Sequence, residues 1–514
     1  MFIRRTVKRS RRTDVLKGLP RGGGQQNPKA SISRFPTAQE LLEDHGLAMD
    51  PRRSRGEIPL GLIGAVMDES GPKPVAIDGT WIGRKTDQSL IIFGPPREDK
   101  GRAFALSASA SYPFGYVGVD PKGDVASAVA EIRHKRYGQD QVVLDGFNTT
   151  RGIDHFKRGC NPMALAEGRD LDGKVQIALL IADAIVPSTT VNNTNSHWDE
   201  AAQTLLFAVL LFVMLDDEFE GRRDLVTVHK LITRKLEDGL KDAVLGCELA
   251  DGMIAEAASE HFDREDRERS GVNSTLRRHM RFMYYPAIRR MLEAKDCPLA
   301  ELPKGKMSVH VCLPAMQMGP CAGFIRLILN SAFGVFEMNE DRGGFQDHTS
   351  GHRCLILVDE CAVLGSCKLT EAAAQLPGLG ILLGTVWQSY AQIIATQGKN
   401  SDTFLASAGT WIVFGARDPS TLDLLEKSMG STLVYMPSER TPTLESAIKH
   451  GDAGSSLALS THPLMSKTEI ANLIHRDSPK GRMLVYLSGI GWVMLTRGYA
   501  DKERHLLELF GKSS

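Results

Sequence analysis

The string Cys354-Leu355-Ile356-Leu357-Val358-Asp359-Glu360 constrains this 514-residue chain more than any other. An unbroken apolar run has no polar face, so a strand made from it must be covered on both sides, as in a parallel sheet layered with helices. In such sheets ligands collect outside the carboxyl ends of the strands. Two acids at that end can give one carboxylate to a metal and the other to a water, which points to a nucleotide-binding α/β fold. A buried strand running into a solvated acidic turn would leave the same trace, so the rest of the chain has to decide.

From about Gly61 the sequence alternates short apolar runs with Ala-rich helical stretches. Strands are predicted at Ser89–Phe93, Tyr116–Asp120 and Gln141–Asp145, with a helix over Arg102–Ala110. Val175 to about Ala294 is helical in pattern and nearly free of strand-like runs, which reads as an inserted all-α block. Alternation resumes at Met307–Cys312 and continues through Gly380–Val386 and Thr410–Phe414. The expected division is a basic flexible tail (1–58), two parts of one nucleotide-binding domain (59–174 and 301–514) and an all-α insertion (175–300). Asp341–Gly351 and Met436–His462 are polar and rich in Gly, Ser and Pro, and are read as loops.

Lys+Arg and Asp+Glu both number 62, so charge balance excludes a global polyanion-binding character, and any nucleic-acid surface must be local. The eight cysteines form no CxxC pair and several sit in apolar runs, which argues for reduced core thiols in a cytosolic setting rather than a zinc site. Ala201–Leu215 is the most lipid-like stretch, yet it is shorter than the roughly 20 residues of a spanning helix and reads as a core helix. The N-terminal MFIRRTVKRSRR has no signal-peptide core, and solvated disorder or contact with anionic lipid or nucleic acid are its two readings.

The strand ending at Phe93 runs into Gly94-Pro95-Pro96-Arg97-Glu98-Asp99-Lys100-Gly101, the place and length of a phosphate-binding loop. In the general pattern G-x-x-x-x-G-K-[ST], backbone N–H groups wrap the phosphates, the lysine reaches them and the hydroxyl holds magnesium. Gly94 and Lys100 fit. Asp99 replaces a glycine and brings a carboxylate toward the place of a polyphosphate, and Gly101 lacks the hydroxyl. A plain strand-turn-helix is the competing reading of this loop alone.

GPPREDKG resembles the APTRSGKG-type loop of the type IV secretion coupling proteins, the VirD4/TraG family of conjugation ATPases. Family members often carry glycine after the lysine, so Gly101 is no departure there, whereas Glu98 and Asp99 depart by replacing the family's Ser-Gly. Further similarities follow in family order: Asp120-Pro121-Lys122-Gly123-Asp124 resembles D-x-K-G-E, Asn161-Pro162-Met163 resembles N-P-L, and Trp198 to Ala202 resembles W-x-x-x-A. LILVDECAVLG, then Val386-Trp387-Gln388 and Phe414-Gly415-Ala416-Arg417, resemble the acid strand, the glutamine-bearing strand and the next strand end.

The resemblance implies a RecA-like P-loop NTPase domain with a mostly parallel sheet, interrupted by an inserted all-α domain. It implies ATP and Mg2+ as cofactors, with Gly94, Arg97, Lys100, Gly101 and Arg102 at the nucleotide and Asp359 at the metal. Glu360 is then expected to polarise water, Gln388 to sense the γ-phosphate, and Arg417 to act across a subunit boundary. It further implies hexameric rings at the inner membrane that bind DNA without sequence preference and deliver relaxase–DNA or effector proteins to the secretion channel. The family's usual N-terminal transmembrane helices are not seen, so either the basic tail stands in for an anchor or the reading frame is incomplete. A non-hydrolysing adaptor and a DNA translocase of the wider RecA-like superfamily are the alternative functions. Arg277, Arg278, Arg281, Arg289 and Arg290, with Tyr284 and Tyr285, read either as a DNA contact or as a solvated helix face.

Overall fold

The computed structural model describes residues 33–70, 74–187, 196–234, 236–338, 354–365, 369–438, 456–478 and 480–511. In chain order its strands are β1 (Ala48–Met49), β2 (Ile58–Asp68), β3 (Val75–Arg84), β4 (Ser89–Phe93), β5 (Gly115–Asp120), β6 (Asp140–Leu144) and β7 (Met307–Cys312), followed by β8 (Cys354–Val358), β9 (Ile381–Trp387), β10 (Ala408–Val413), β11 (Ser431–Ser438), β12 (Ser456–Pro463), β13 (Arg482–Leu487) and β14 (Gly491–Thr496). Twelve of them make one sheet in the order β1-β3-β2-β14-β13-β10-β4-β9-β8-β5-β7-β6. From β10 to β6 every neighbouring pair is parallel, and from β10 through β13 to β1 every pair is antiparallel.

The parallel half follows from the apolar runs. Every residue of β4, β8 and β9 is buried, and alternate residues serve opposite faces. Ile91, Phe93, Ile356 and Val358 join one core cluster, while Leu90, Ile92, Leu355 and Leu357 join another. Each such aliphatic side chain contributes about 1.5–3 kcal/mol on burial, so a strand buried on both faces stabilises only if helices cover both. Here α1 (Leu106–Ser111) and α2 (Asp124–Tyr137) follow β4 and β5. Glycine in the left-handed conformation brackets α2, at Gly123 (φ 69°) and Gly138 (φ 62°), and basic residues fill its last turn, favourable to the helix dipole.

Between β6 and β7, from Leu171 onward, the described chain is mostly helical. It includes α3 (Leu171–Ile185), α4 (Ser196–Leu215), α5 (Leu225–Arg234), α6 (Lys241–Leu245), α7 (Met253–Phe262), α8 (Asp266–His279) and α9 (Pro286–Leu292). Asp170 caps α3 by accepting from Gly173 N at 2.9 Å. By length and composition α4 could cross a membrane, but 72% of its most apolar stretch is buried inside the protein, as a core helix would be.

Two expectations change, and one feature is new. Within the span read as a basic tail, Leu41 is buried and β1 pairs with β3 through Ala48 and Ile82; residues 1–32 lie outside those described. The antiparallel half of the sheet has no counterpart in the sequence reading. The segment Met436–His462, read as a loop, begins and ends in strand, because β11 and β12 pair as a separate two-stranded sheet. That sheet belongs to a unit of its own, apart from the unit of Arg34–Gly430 and Pro463–Ser514. Asp341–Gly351 lies outside the described residues. The described cysteines are unbridged and six of the seven are buried, with Cys160 Sγ 3.1 Å from Cys297 Sγ.

Candidate nucleotide site

Because β10, β4, β9, β8 and β5 run parallel, their carboxyl ends share one edge of the sheet. The Gly94–Gly101 loop, Gln388, the Asp359-Glu360 pair and Asp120 all emerge there. Gly94 N donates to Trp387 O at 3.0 Å, tying the start of the loop to β9. Arg97 (φ 68°) and Asp99 (φ 59°) adopt left-handed backbone conformations. The lysine then folds over Gly94, where a Cβ would stand 3.0 Å from Lys100 Cδ. Lys100 Nζ donates to the carbonyls of Gly94 and Pro95. Burial pulls the Lys100 pKa down, and the charges of Asp359, Glu360 and Glu98 oppose that shift.

The acid pair is held by backbone geometry. Asp359 N donates to Val119 O at 3.2 Å, fixing the end of β8 against β5. Glu360 follows with φ 53°, and its own N–H donates to Asp359 Oδ1 at 2.9 Å. Burial first, and the neighbouring Glu360 charge second, push the Asp359 carboxyl up to about 6. From β9, Gln388 Nε2 donates to Glu360 Oε2 at 2.8 Å, and Gln388 N donates to Gln392 Oε1 at 2.9 Å. The amide therefore grips one carboxylate oxygen of Glu360.

A magnesium–nucleotide complex suits this donor set. A divalent cation beside Asp359 would offset the carboxyl's burial cost, and Lys100 supplies a phosphate-sized positive charge within the same cluster. Nothing lies within 4 Å of where a Cβ at Gly101 would stand, so open space stands in place of the missing hydroxyl. Asp120, lining the same small cavity as Lys100 and Asp359, is spent on structure. It accepts from Lys122 N at 3.2 Å and Ala126 N at 3.0 Å, capping the start of α2.

Not every expected residue joins the cluster. Arg102 turns to Asp501, with Nη2 to Oδ2 at 2.7 Å, and stacks 4.5 Å from the Tyr499 ring centroid. Arg97 is exposed and contributes its carbonyl to Arg476 Nη1 at 3.1 Å. The Asp99 charge is felt by Arg102 and Tyr499, on the flank of the loop facing the C-terminal segment. Arg417 is paired within its own chain, Nη2 to Glu98 Oε1 at 2.5 Å.

Two features escaped the sequence reading. Glu98 was visible only as a departure from a pattern, yet it is 1% exposed and ion-paired. Arg497, fully buried after β14, lies 3.7 Å from Glu98 and had no sequence signal, since its partner is some 400 positions away. In the all-α block, the Trp198 ring packs against Gly271 of α8. Arg278 pairs with the buried Asp199 at 3.3 Å, and Arg289 Nε donates to Met283 O at 2.7 Å. Arg277, Arg281, Arg290 and Tyr284 are exposed.

Residues 61–498 match the family model described as Type IV secretory system Conjugative DNA transfer. The chain is similar to the Conjugal transfer protein TraG of Escherichia coli, 22% identical over 465 residues, covering 82% of this chain and 70% of that protein. In fold it is similar to the plasmid coupling protein TrwB in complex with ADP and Mg2+, at TM-score 0.64 and 15% identity over 93% of this chain and 96% of that one. A TrwB complex with a non-hydrolysable ATP analogue gives TM-score 0.63 at 15% identity, with the same coverage of both chains. With ordered motifs, a matching sheet edge and a family match over most of its length, the chain belongs to the type IV secretory system conjugative DNA transfer family.

Proposed function

We propose that this chain is a coupling ATPase that binds ATP with Mg2+ at the edge formed by β4, β8 and β9 and uses its hydrolysis to drive DNA or nucleoprotein into a type IV secretion channel. The observation that carries this reading is the 2.8 Å bond from Gln388 to Glu360, made beside Asp359 and Lys100. It gives the acid pair an arrangement that a merely solvated turn would not need. Lys100 would leave the carbonyls of Gly94 and Pro95 to neutralise phosphate charge, and Asp359 would hold the metal. Bound magnesium would supply charge neutralisation of the phosphates. Glu360 orients and polarises the attacking water, with Gln388 fixing the carboxylate and carrying the state of the γ-phosphate to β9.

TrwB has been seen in complex with ADP and Mg2+ and with a non-hydrolysable ATP analogue, which supports the same ligands here. Residues 59–174 and 301–514 would form the motor, and 175–300 the block through which relaxase or effector substrates are received. Assembly as a homo-hexamer, sequence-independent DNA binding, and contact of the basic N-terminal tail with the cytoplasmic face of the inner membrane complete the proposal. Titration calorimetry tests the ligand: Mg2+–ATP should bind in the micromolar range, with Lys100→Ala weakening it by about tenfold or more, the loss of one charge-assisted contact. Absence of binding by the wild-type chain would contradict it.

A further inference from the structure

Glu98 stands where the family pattern has serine, and the fold treats it as an interior residue. Its carboxylate is enclosed between two guanidinium groups of opposite character. Arg497 is fully buried and fixed, donating through Nη2 to the carbonyls of Phe414 and Ile474, and through Nη1 to the carbonyl of Glu98 itself at 3.5 Å. Arg417, by contrast, has a side chain 55% exposed and closes over Glu98 from the solvent side. Gly415 makes the room: a Cβ there would stand 2.9 Å from Glu98 Cδ. Glu98 Oε2 accepts no hydrogen bond and lies 3.7 Å from Arg497 Nη2.

The asymmetry decides which contact can open. Were Arg417 to leave, Glu98 would keep Arg497 as its counter-charge, so the buried acid would not be stranded. Arg497 has no such freedom, being held by carbonyls from three segments. Arg417 also sits beside the phosphate loop, because β10 is the parallel neighbour of β4 and Phe414 N donates to Phe93 O at 2.9 Å.

We propose that Glu98 is a positioning residue whose buried carboxylate clamps the middle of the phosphate loop to the ends of β10 and β14 and holds Arg417 within its own chain, releasing it only to a bound polyphosphate. The polyphosphate rests on the nucleotide reading above; the clamp does not. A bound nucleotide presents several negative charges to Arg417 in place of one. The serine of the family pattern could not neutralise Arg417, so the device belongs to this chain's own departure from that pattern.

The clamp is tested on the full chain without nucleotide, by the rate at which phenylglyoxal modifies Arg417, read by peptide mass spectrometry in wild type and Glu98→Gln. Modification several-fold faster in the variant is expected; equal rates in the two folded proteins overturn the proposal. Should Glu98→Gln fail to fold because Arg497 is left buried and unpaired, Glu98→Gln with Arg497→Leu removes both charges and serves the same comparison. Release is tested by Mg2+–ATP binding. Glu98→Gln should bind about tenfold more tightly than wild type, the worth of one freed charge-assisted contact, and Glu98→Gln with Arg417→Gln should lose that gain. A gain that survives removal of Arg417, or no gain in a folded variant, overturns release. If neither wild type nor any variant binds nucleotide while the labelling rates still differ, the clamp stands and the nucleotide reading fails.

Discussion

Asp359 is ionised at a cost. Its carboxyl, pushed up to about 6 by burial and by Glu360, titrates above the ordinary aspartate value of about 3.9. Between those two values the folded state holds the proton more tightly than the unfolded chain. Stability contributed by this group is therefore greatest below about pH 4 and is lost as pH rises through about 6, by at most about 3 kcal/mol. Asp359→Asn removes the charge and keeps the shape. Thermal melts of the metal-free protein should show the variant more stable than wild type at pH 7.5, with the difference vanishing at pH 4. A pH-independent difference would mean that Asp359 is not strained in this way. A site that gives up stability to hold a carboxylate ready for a cation is the ordinary trade between function and stability.

At the scale of elements, the contact between α4 and α8 gives the sharpest expectation. Replacing a helical glycine by alanine at an exposed position typically stabilises by about 1 kcal/mol. At Gly271 the new Cβ would stand 2.7 Å from the ring of the half-buried Trp198, too close for either to stay where it is. Gly271→Ala should therefore destabilise by about 1–3 kcal/mol in urea titration, and Trp198→Phe should relieve part of the loss. Stabilisation by the single change would show that Trp198 is not the anchor between these helices.

What the sequence disclosed about these elements follows the range of each interaction. The strands at Ser89–Phe93, Met307–Cys312 and Cys354–Val358 coincide with their apolar runs because burial on both faces writes itself into consecutive residues. Of the proposed site residues, Asp359, Glu360 and Gln388 follow directly on such a run, whereas Lys100 closes the loop that comes after one. The antiparallel half was only partly open to a local reading: β2–β3 and β13–β14 are hairpins of neighbouring strands, but β10 with β13 and β2 with β14, as in Leu62 with Thr496, join segments distant in the chain. The same holds for Glu98 with Arg417 and Arg497, and for Arg102 with Asp501, where one partner lies hundreds of positions from the loop.

At the scale of the whole molecule, one sheet edge brings the loop, the acid pair and the glutamine together, and the all-α block enters between β6 and β7 without disturbing that edge. The acid that looked most damaging in the sequence, Asp99, acts on Arg102 and Tyr499, while the carboxylates acting on Lys100 are Asp359, Glu360 and Glu98. The loop thus keeps its lysine among the acid pair despite its departures, and the proposed ATPase should turn ATP over. The most direct measurement is steady-state ATP hydrolysis by the purified chain in Mg2+, with and without single-stranded DNA, beside Glu360→Gln. Turnover should be stimulated by DNA and should fall by about a hundredfold or more in the variant, the usual worth of a positioned general base. No turnover from a folded, nucleotide-saturated hexamer in the presence of DNA, or turnover unchanged in Glu360→Gln, would contradict it.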